Sequence, residues 1–163
     1  MYPIGDPVDI WVAGASAEAS TELAAFDACL LKIGIGNFNL LYLSSVIPPS
    51  AKVLRASATF SNVKWGDRLY CVIAQSRTSV AGMEVWAGLG WVREASTGRG
   101  LFAEATGPSE ADVRFELSTT LSEMTSARDG DWSSVEIEVA GSVCKDRPTC
   151  ALVVASYHVE GWT

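Results

Sequence analysis

Two adjacent serines, Ser44 and Ser45, end a short apolar run and stand just ahead of a proline pair, in the stretch Asn37-Phe38-Asn39-Leu40-Leu41-Tyr42-Leu43-Ser44-Ser45-Val46-Ile47-Pro48-Pro49. A serine hydroxyl can attack the carbonyl on its own N-terminal side and convert that peptide bond to an ester. Elimination of the acyloxy group from the β-carbon leaves dehydroalanine, which hydrolyses to a pyruvoyl group and ammonia. The reaction needs a strained or polarised carbonyl and a hydrogen-bond donor for the developing oxyanion. A turn after a strand offers such a setting, and the prolines prevent regular pairing just beyond it. Taken alone, a serine pair in this position reads as an ordinary turn.

Two carboxylates also stand in unusual company. Glu104 is the one charge in the run Leu101–Ala105, and its apolar neighbours make partial burial an expectation. The pattern also allows an edge-strand charge. Asp27 lies four residues after Leu23 and four before Leu31, at the margin of an apolar helix face where an unpaired charge is costly. From pattern alone it reads equally as a carboxylate turned to solvent.

The elements that would carry these groups follow from periodicity. Asp9–Ala13 predicts a first strand ending at Gly14, with residues 15–20 as a loop. A helix is expected from Thr21 to Ile33, with Leu23, Phe26, Leu30 and Ile33 towards the core and Gly34 as its stop. Phe38–Leu43 reads as a strand and Lys52–Arg55 as extended chain. Arg68–Gln75 and Val80–Val92 read as strands, with Gly82, Gly88 and Gly90 marking bulges or close backbone approach. Leu101–Ala105 is a further strand. A second helix opens at Ser109 as N-cap, with Glu110 and Asp112 in its first turn, buries Val113, Leu117, Leu121 and Met124, and ends near Ala127. Val135–Val139 alternates as a half-exposed strand, and Thr149–Tyr157 is a buried last strand. The order predicts one domain of the α+β class, a layered sandwich with a helix near each half.

Composition narrows the function. The chain has 163 residues, 48% hydrophobic and 19% charged, which is enough for one well-filled core or a core plus subunit contacts. Six tryptophans point the same way. A net charge of −7 with no Lys/Arg run argues against nucleic acid and is compatible with a cationic small substrate. No run approaches the ~20 apolar residues of a membrane span, and residues 1–7 carry no basic, apolar signal pattern. Cys29, Cys71, Cys144 and Cys150 are widely spaced, as in a cytoplasmic protein with reduced, buried thiols. His158 is the one histidine, so no metal site is expected. His158 itself reads as a packed or exposed side chain, Ser61-Asn62-Val63-Lys64 as a chance SxxK pattern without its partner motifs, and Glu136 and Glu138 as a solvated strand face.

Residues 24–49 resemble the pyruvoyl-dependent arginine decarboxylase family. The resemblance is carried by Ala25-Phe26-Asp27-Ala28-Cys29-Leu30-Leu31, by Gly34-Ile35-Gly36-Asn37-Phe38-Asn39-Leu40 and by Leu43-Ser44-Ser45-Val46-Ile47-Pro48-Pro49. It extends to Val12-Ala13-Gly14-Ala15-Ser16, to Gly100-Leu101-Phe102-Ala103-Glu104-Ala105-Thr106-Gly107 and to Cys150–Tyr157, and is least in 55–98. It implies an αββα four-layer sandwich in which a zymogen of 1–163 cuts itself between Ser44 and Ser45 into chains 1–44 and 45–163. Ser45 becomes a covalent pyruvoyl group, the sole cofactor. Asn39, six residues earlier, helps to polarise the reacting centre. Glu104 protonates the decarboxylated carbon, and Asp27 receives the substrate guanidinium. L-Arginine would form a Schiff base on the pyruvoyl and leave as agmatine and CO2, a step of polyamine biosynthesis in the cytoplasm. The resemblance also implies a homotrimer, or a dimer of trimers, with active sites between subunits. A modified arginine or another amino acid as substrate is one alternative. A non-processing structural or regulatory subunit is the other.

Overall fold

The computed structural model describes residues 7–163; residues 1–6, which hold nearly all of the stretch read above for a targeting signal, lie outside it. In chain order the elements are β1 (Asp9–Glu18), α1 (Glu22–Lys32), β2 (Asn39–Tyr42), β3 (Val46–Ile47), β4 (Lys52–Arg55), β5 (Arg68–Thr78), β6 (Glu84–Arg93), β7 (Gly100–Gly107), α2 (Glu110–Ser126), β8 (Glu136–Val143) and β9 (Thr149–Glu160). One sheet has the order β2-β5-β9-β1-β4, the other β3-β7-β6-β8. Strands β1 and β4, and β2 and β5, run parallel; the remaining pairs are antiparallel.

Three apolar layers hold four layers of structure. Ala25, Cys29, Leu30 and Ile33 of the α1 region pack on Leu152, Val154, Leu69 and Cys71 of the five-stranded sheet. Between the sheets lie Val12, Val72, Val153, Leu89, Trp91, Phe102 and Tyr157. Val113, Leu117 and Leu121 of α2 pack on Leu101, Ala103 and Ala105 of β7. This is the αββα sandwich. Strand β9 shows how the chain builds it: Cys150, Leu152 and Val154 face α1, while Val153, Ala155 and Tyr157 face the other sheet, so a nearly all-apolar strand is buried on both sides.

The second helix begins at the cap expected for it, Ser109, and the first begins after Thr21, which caps it instead of forming its first residue. Thr21 Oγ1 accepts from Ala24 N at 3.1 Å, and Ser109 Oγ accepts from Asp112 N at 3.1 Å. Gly88 and Gly90 on β6 lie under α2: a Cβ on Gly88 would stand 2.7 Å from Val113 Cγ1, and one on Gly90 3.0 Å from Leu121 Cδ1. The bare backbone lets the helix approach closely. Gly82 serves differently, with φ +87° in the turn before β6, so Val80 to Met83 is turn and not strand.

Other expectations change as well. β1 runs on through Gly14 to Glu18 because Ala15 to Glu18 pair with Leu152 to Thr149 of β9. Its alanines at 13, 15 and 17 leave room for α1 on that face. Leu23 is 66% exposed and Leu31 55% exposed, so these leucines flank Asp27 on the outer surface of α1. Glu136 and Glu138 are tied down more than a solvated face would be: Glu136 accepts from Trp91 Nε1 at 2.9 Å, and Glu138 pairs with Arg55. His158 is exposed and stacks on Tyr70, and all four cysteines are buried free thiols. Burial pushes the Cys71 thiol up to about 12.

Candidate active site

The chain changes sheets at the two serines. β2 is an edge strand of the five-stranded sheet and β3 an edge strand of the four-stranded one, so residues 43–45 span the passage between them. Leu43 N donates to Cys71 O at 2.8 Å on β5 and ends the first attachment. The Ser45 carbonyl accepts from Phe102 N at 2.7 Å on β7 and begins the second. Val46 and Ile47 then pair with Leu101 and Gly100. The Ser44–Ser45 bond therefore lies between the two attachments. A cut there would break no strand pairing, and each new end would stay anchored to its own sheet.

Glu104 reaches the same point from β7. Ser45 Oγ stands 3.5 Å from Glu104 Oε2, at the long limit of a hydrogen bond. Alternation along β7 puts Phe102 and Glu104 on one face, towards the other sheet, while Leu101, Ala103 and Ala105 face α2. β3 pairs only with Gly100 and Leu101, so the edge of β7 is open beyond Phe102 and Glu104 is exposed. The partial burial expected from Leu101 and Ala103 is absent in a single chain, because those side chains point the opposite way. Glu104 lines a cavity of about 340 Å3 with Ile73 and Gln75 of β5, Thr106, and Glu116 of α2. A larger cavity of about 510 Å3, lined by Phe60, Asp67, His158 and Trp162, does not include Ser45 or Glu104.

The peptide at Ser44–Ser45 is trans and neither serine has positive φ; among the described residues Asn62 is the one non-glycine that does. Backbone strain is thus not the local feature. The feature is a set of hydrogen bonds. Tyr157, buried near the end of β9, donates its hydroxyl to the Val46 carbonyl at 3.1 Å. Its ring packs against Phe102 with centroids 6.1 Å apart. Downstream, Arg93 donates to Ala51 O at 2.7 Å and Gly98 O at 2.8 Å, holding the segment after the prolines to the β6–β7 turn. That turn is fixed in turn by the buried Glu94, which receives Arg99 Nε at 2.8 Å and Nη2 at 3.0 Å. The hydroxyl of Thr97 and the Arg99 guanidinium hold the Glu94 carboxyl below its usual range.

Asn39 and Asp27 stand elsewhere in the same chain. Asn39 is exposed at the start of β2, and the extended, paired stretch from Asn39 to Leu43 sets it roughly 13 Å along the sheet before the passage to Ser45. Its Nδ2 donates to Gly66 O at 2.7 Å, which also accepts from Trp162 Nε1 at 2.8 Å. Because a carbonyl only accepts, it takes the amide nitrogen of Asn39, and Oδ1 has no hydrogen-bond partner among the described residues. Asp27 is exposed on α1, on the far side of the five-stranded sheet from Glu104. One chain therefore unites Ser44, Ser45 and Glu104 but not Asn39 or Asp27. Exposed apolar residues crowd both places: Leu23 and Leu31 beside Asp27, and Leu41, Tyr42 and Val46 beside the serines, Tyr42 and Val46 being 61% and 60% exposed.

The Phe102 N–H and the Tyr157 hydroxyl escaped the sequence reading. A backbone donor leaves no sequence signal. Tyr157 left a faint one, a phenol at the end of a buried apolar strand, which must find a partner. Among the described residues no group of three or more His, Cys, Asp or Glu is arranged to hold a metal ion, and no helix is long and apolar enough to cross a membrane.

Similarity to known proteins covers almost the whole chain. The profile of a family described as pyruvoyl-dependent arginine decarboxylase matches residues 9–160. A pyruvoyl-dependent arginine decarboxylase of Thermococcus kodakarensis is 33% identical over 150 residues, 91% of this chain and 93% of the relative. Proteins of the same name from Thermococcus sibiricus and Halobacterium salinarum are 36% and 34% identical, over 85% and 91% of this chain and 87% and 92% of theirs.

Proposed function

The chain belongs to the pyruvoyl-dependent arginine decarboxylase family, whose members depend on a covalently bound pyruvoyl group, and on that premise we propose that it cuts itself between Ser44 and Ser45 and decarboxylates L-arginine to agmatine and CO2. The observation that carries this reading is the 3.5 Å approach of Glu104 to the Ser45 hydroxyl at a point where the chain passes between sheets without strand pairing.

The residues at Ser45 fit a pyruvoyl group. The hydroxyl to be lost faces a carboxylate that can move protons, and the carbonyl to be kept already holds the Phe102 N–H at 2.7 Å. In processing, Ser45 Oγ adds to the Ser44 carbonyl carbon, the Ser44–Ser45 C–N bond breaks, and an ester with a free Ser45 amine results. Loss of the Cα proton with departure of the Ser44 carboxylate gives dehydroalanine, and one water then replaces the nitrogen as ammonia. Glu104 would take the hydroxyl proton. In the mature protein the pyruvoyl supplies an electrophilic carbonyl for the substrate amine and a sink for the electron pair released with CO2. The Phe102 N–H polarises the adjoining amide carbonyl, which favours that sink. Glu104 then returns a proton to the carbon that lost CO2.

Asp27 and Asn39 join this site from a second copy of the chain. The apolar strip Leu23–Leu31 around Asp27 and the apolar set Leu41, Tyr42 and Val46 around the serines are the surfaces that such an assembly buries, in a homotrimer or a dimer of trimers. Asp27 would take the guanidinium, and the Oδ1 of Asn39 would accept from a donor at the reacting centre. The buried free thiols suit a cytoplasmic location.

The test is the intact mass of the denatured chain beside its Ser45→Ala variant. Two fragments, 1–44 and 45–163, the larger with a borohydride-reducible N-terminal ketone, are expected from the parent alone. A single full-length mass that persists on incubation would overturn self-processing and favour a non-catalytic subunit. Release of agmatine from arginine, compared with other amino acids, then fixes the substrate.

A further inference from the structure

Two consecutive carbonyls after the proposed cut are held by two core residues that touch one another. Phe102 N holds Ser45 O at 2.7 Å, and the Tyr157 hydroxyl holds Val46 O at 3.1 Å. The rings of Phe102 and Tyr157 lie 6.1 Å apart, and Phe102 in turn packs on Trp91 at 5.8 Å. Tyr157 belongs to the five-stranded sheet, whereas Val46 belongs to the other. Its hydroxyl is therefore a strut across the sandwich.

We propose that Tyr157 is a positioning residue, which fixes the Val46 peptide and so aims Ser45, and the group made from it, at Glu104. The inference rests on the reading of Ser45 given above. β3 has only two residues, and a two-residue edge strand offers too little ladder to stay closed unaided. After the cut, Ser45 would become a chain terminus, the place where fraying concentrates. The bond from Tyr157 comes from a strand buried on both faces and does not depend on that ladder. Burial pushes the phenol up, which favours the protonated, hydrogen-bond-donating form. A purely structural tyrosine would stabilise the core without altering the aim of Ser45, and the two roles part in experiment.

Tyr157→Phe keeps the ring and removes the donor. Made in the full chain, it is expected to slow self-cleavage and to lower kcat for arginine by about five- to tenfold each, the worth of one hydrogen bond. KM should stay within about twofold and the melting temperature within a few degrees. In the Ser45→Ala background, hydrogen exchange at the Phe102 amide should rise by about the same factor in Tyr157→Phe, while the α2 amides stay unchanged. Parent-like cleavage and kcat would overturn the proposal, as would an unaltered Phe102 exchange rate or a loss explained by global unfolding. If the parent itself never cuts, the reading of Ser45 fails, and the exchange measurement still decides whether Tyr157 holds the segment.

Discussion

Glutamine at position 104 would keep the shape of the side chain and remove its ability to pass a proton. In the uncut chain Glu104 Oε2 and Ser45 Oγ are 3.5 Å apart, so the ground-state contact is weak and its loss should change stability by less than about 1 kcal/mol. Glu104 is exposed and makes no ion pair among the described residues, which adds nothing to that cost. The effect should appear in the chemical step. A positioned general acid is worth about 10²- to 10⁴-fold, or roughly 3–5 kcal/mol at about 1.36 kcal/mol per decade. Self-cleavage of Glu104→Gln should slow, because Glu104 is also the proposed acceptor of the Ser45 proton. The fraction that does process, isolated and checked by mass for the 45–163 fragment, should release CO2 from arginine with kcat lowered by about 10²- to 10⁴-fold and KM changed only a few-fold. A kcat within tenfold of the parent, or a loss borne wholly by KM, would refute the assignment of the proton to Glu104.

Three further outcomes follow from the same structure. Asp27→Asn removes the charge proposed for the guanidinium; KM for arginine should rise about 10- to 100-fold with kcat within a few-fold, and the effect should vanish for a neutral substrate analogue. Glu94→Gln unclamps the turn between β6 and β7. The folded pKa of Glu94 is lowered by Thr97 and Arg99, so its stabilisation is present above the ordinary carboxylate range near 4.3 and is lost as pH falls through the folded value. The melting temperatures of parent and variant should differ at pH 7 and converge towards pH 3. Gly88→Val would place atoms inside the 2.7 Å approach to Val113; a loss of about 1–3 kcal/mol is expected, read by chemical denaturation, with α2 displaced from β6.

Much of the fold was legible because its signals are local. The α2 stripe of Val113, Leu117 and Leu121 follows from helical spacing and is fully buried. Ser109 announced the start of α2, and the start expected for α1 falls within one residue of the observed one. Where the reading failed, long-range contacts decided. Leu23 fits an apolar helical stripe, yet α1 buries Ala25, Cys29 and Leu30 instead and leaves Leu23 and Leu31 outside with Asp27. Gly14 looked like a strand end, yet pairing with β9 carries β1 on to Glu18. β3 was invisible because two residues before a proline pair hold no periodicity, and it exists only through Leu101 and Gly100.

The sequence by itself determined the paired hydroxyls at Ser44 and Ser45, the lone charge Glu104 on an apolar strand and the family pattern that joins them, since residue type and spacing are properties of the chain. The tertiary structure alone decided that the chain passes between sheets at the serines, that Glu104 arrives at Ser45 from 59 residues away and that Tyr157 grips Val46 from 111 residues away. It also decided that Asn39 and Asp27 do not meet Ser45 within one chain. Contacts of that range depend on how two sheets stack and which edges they leave open, and no local preference encodes either.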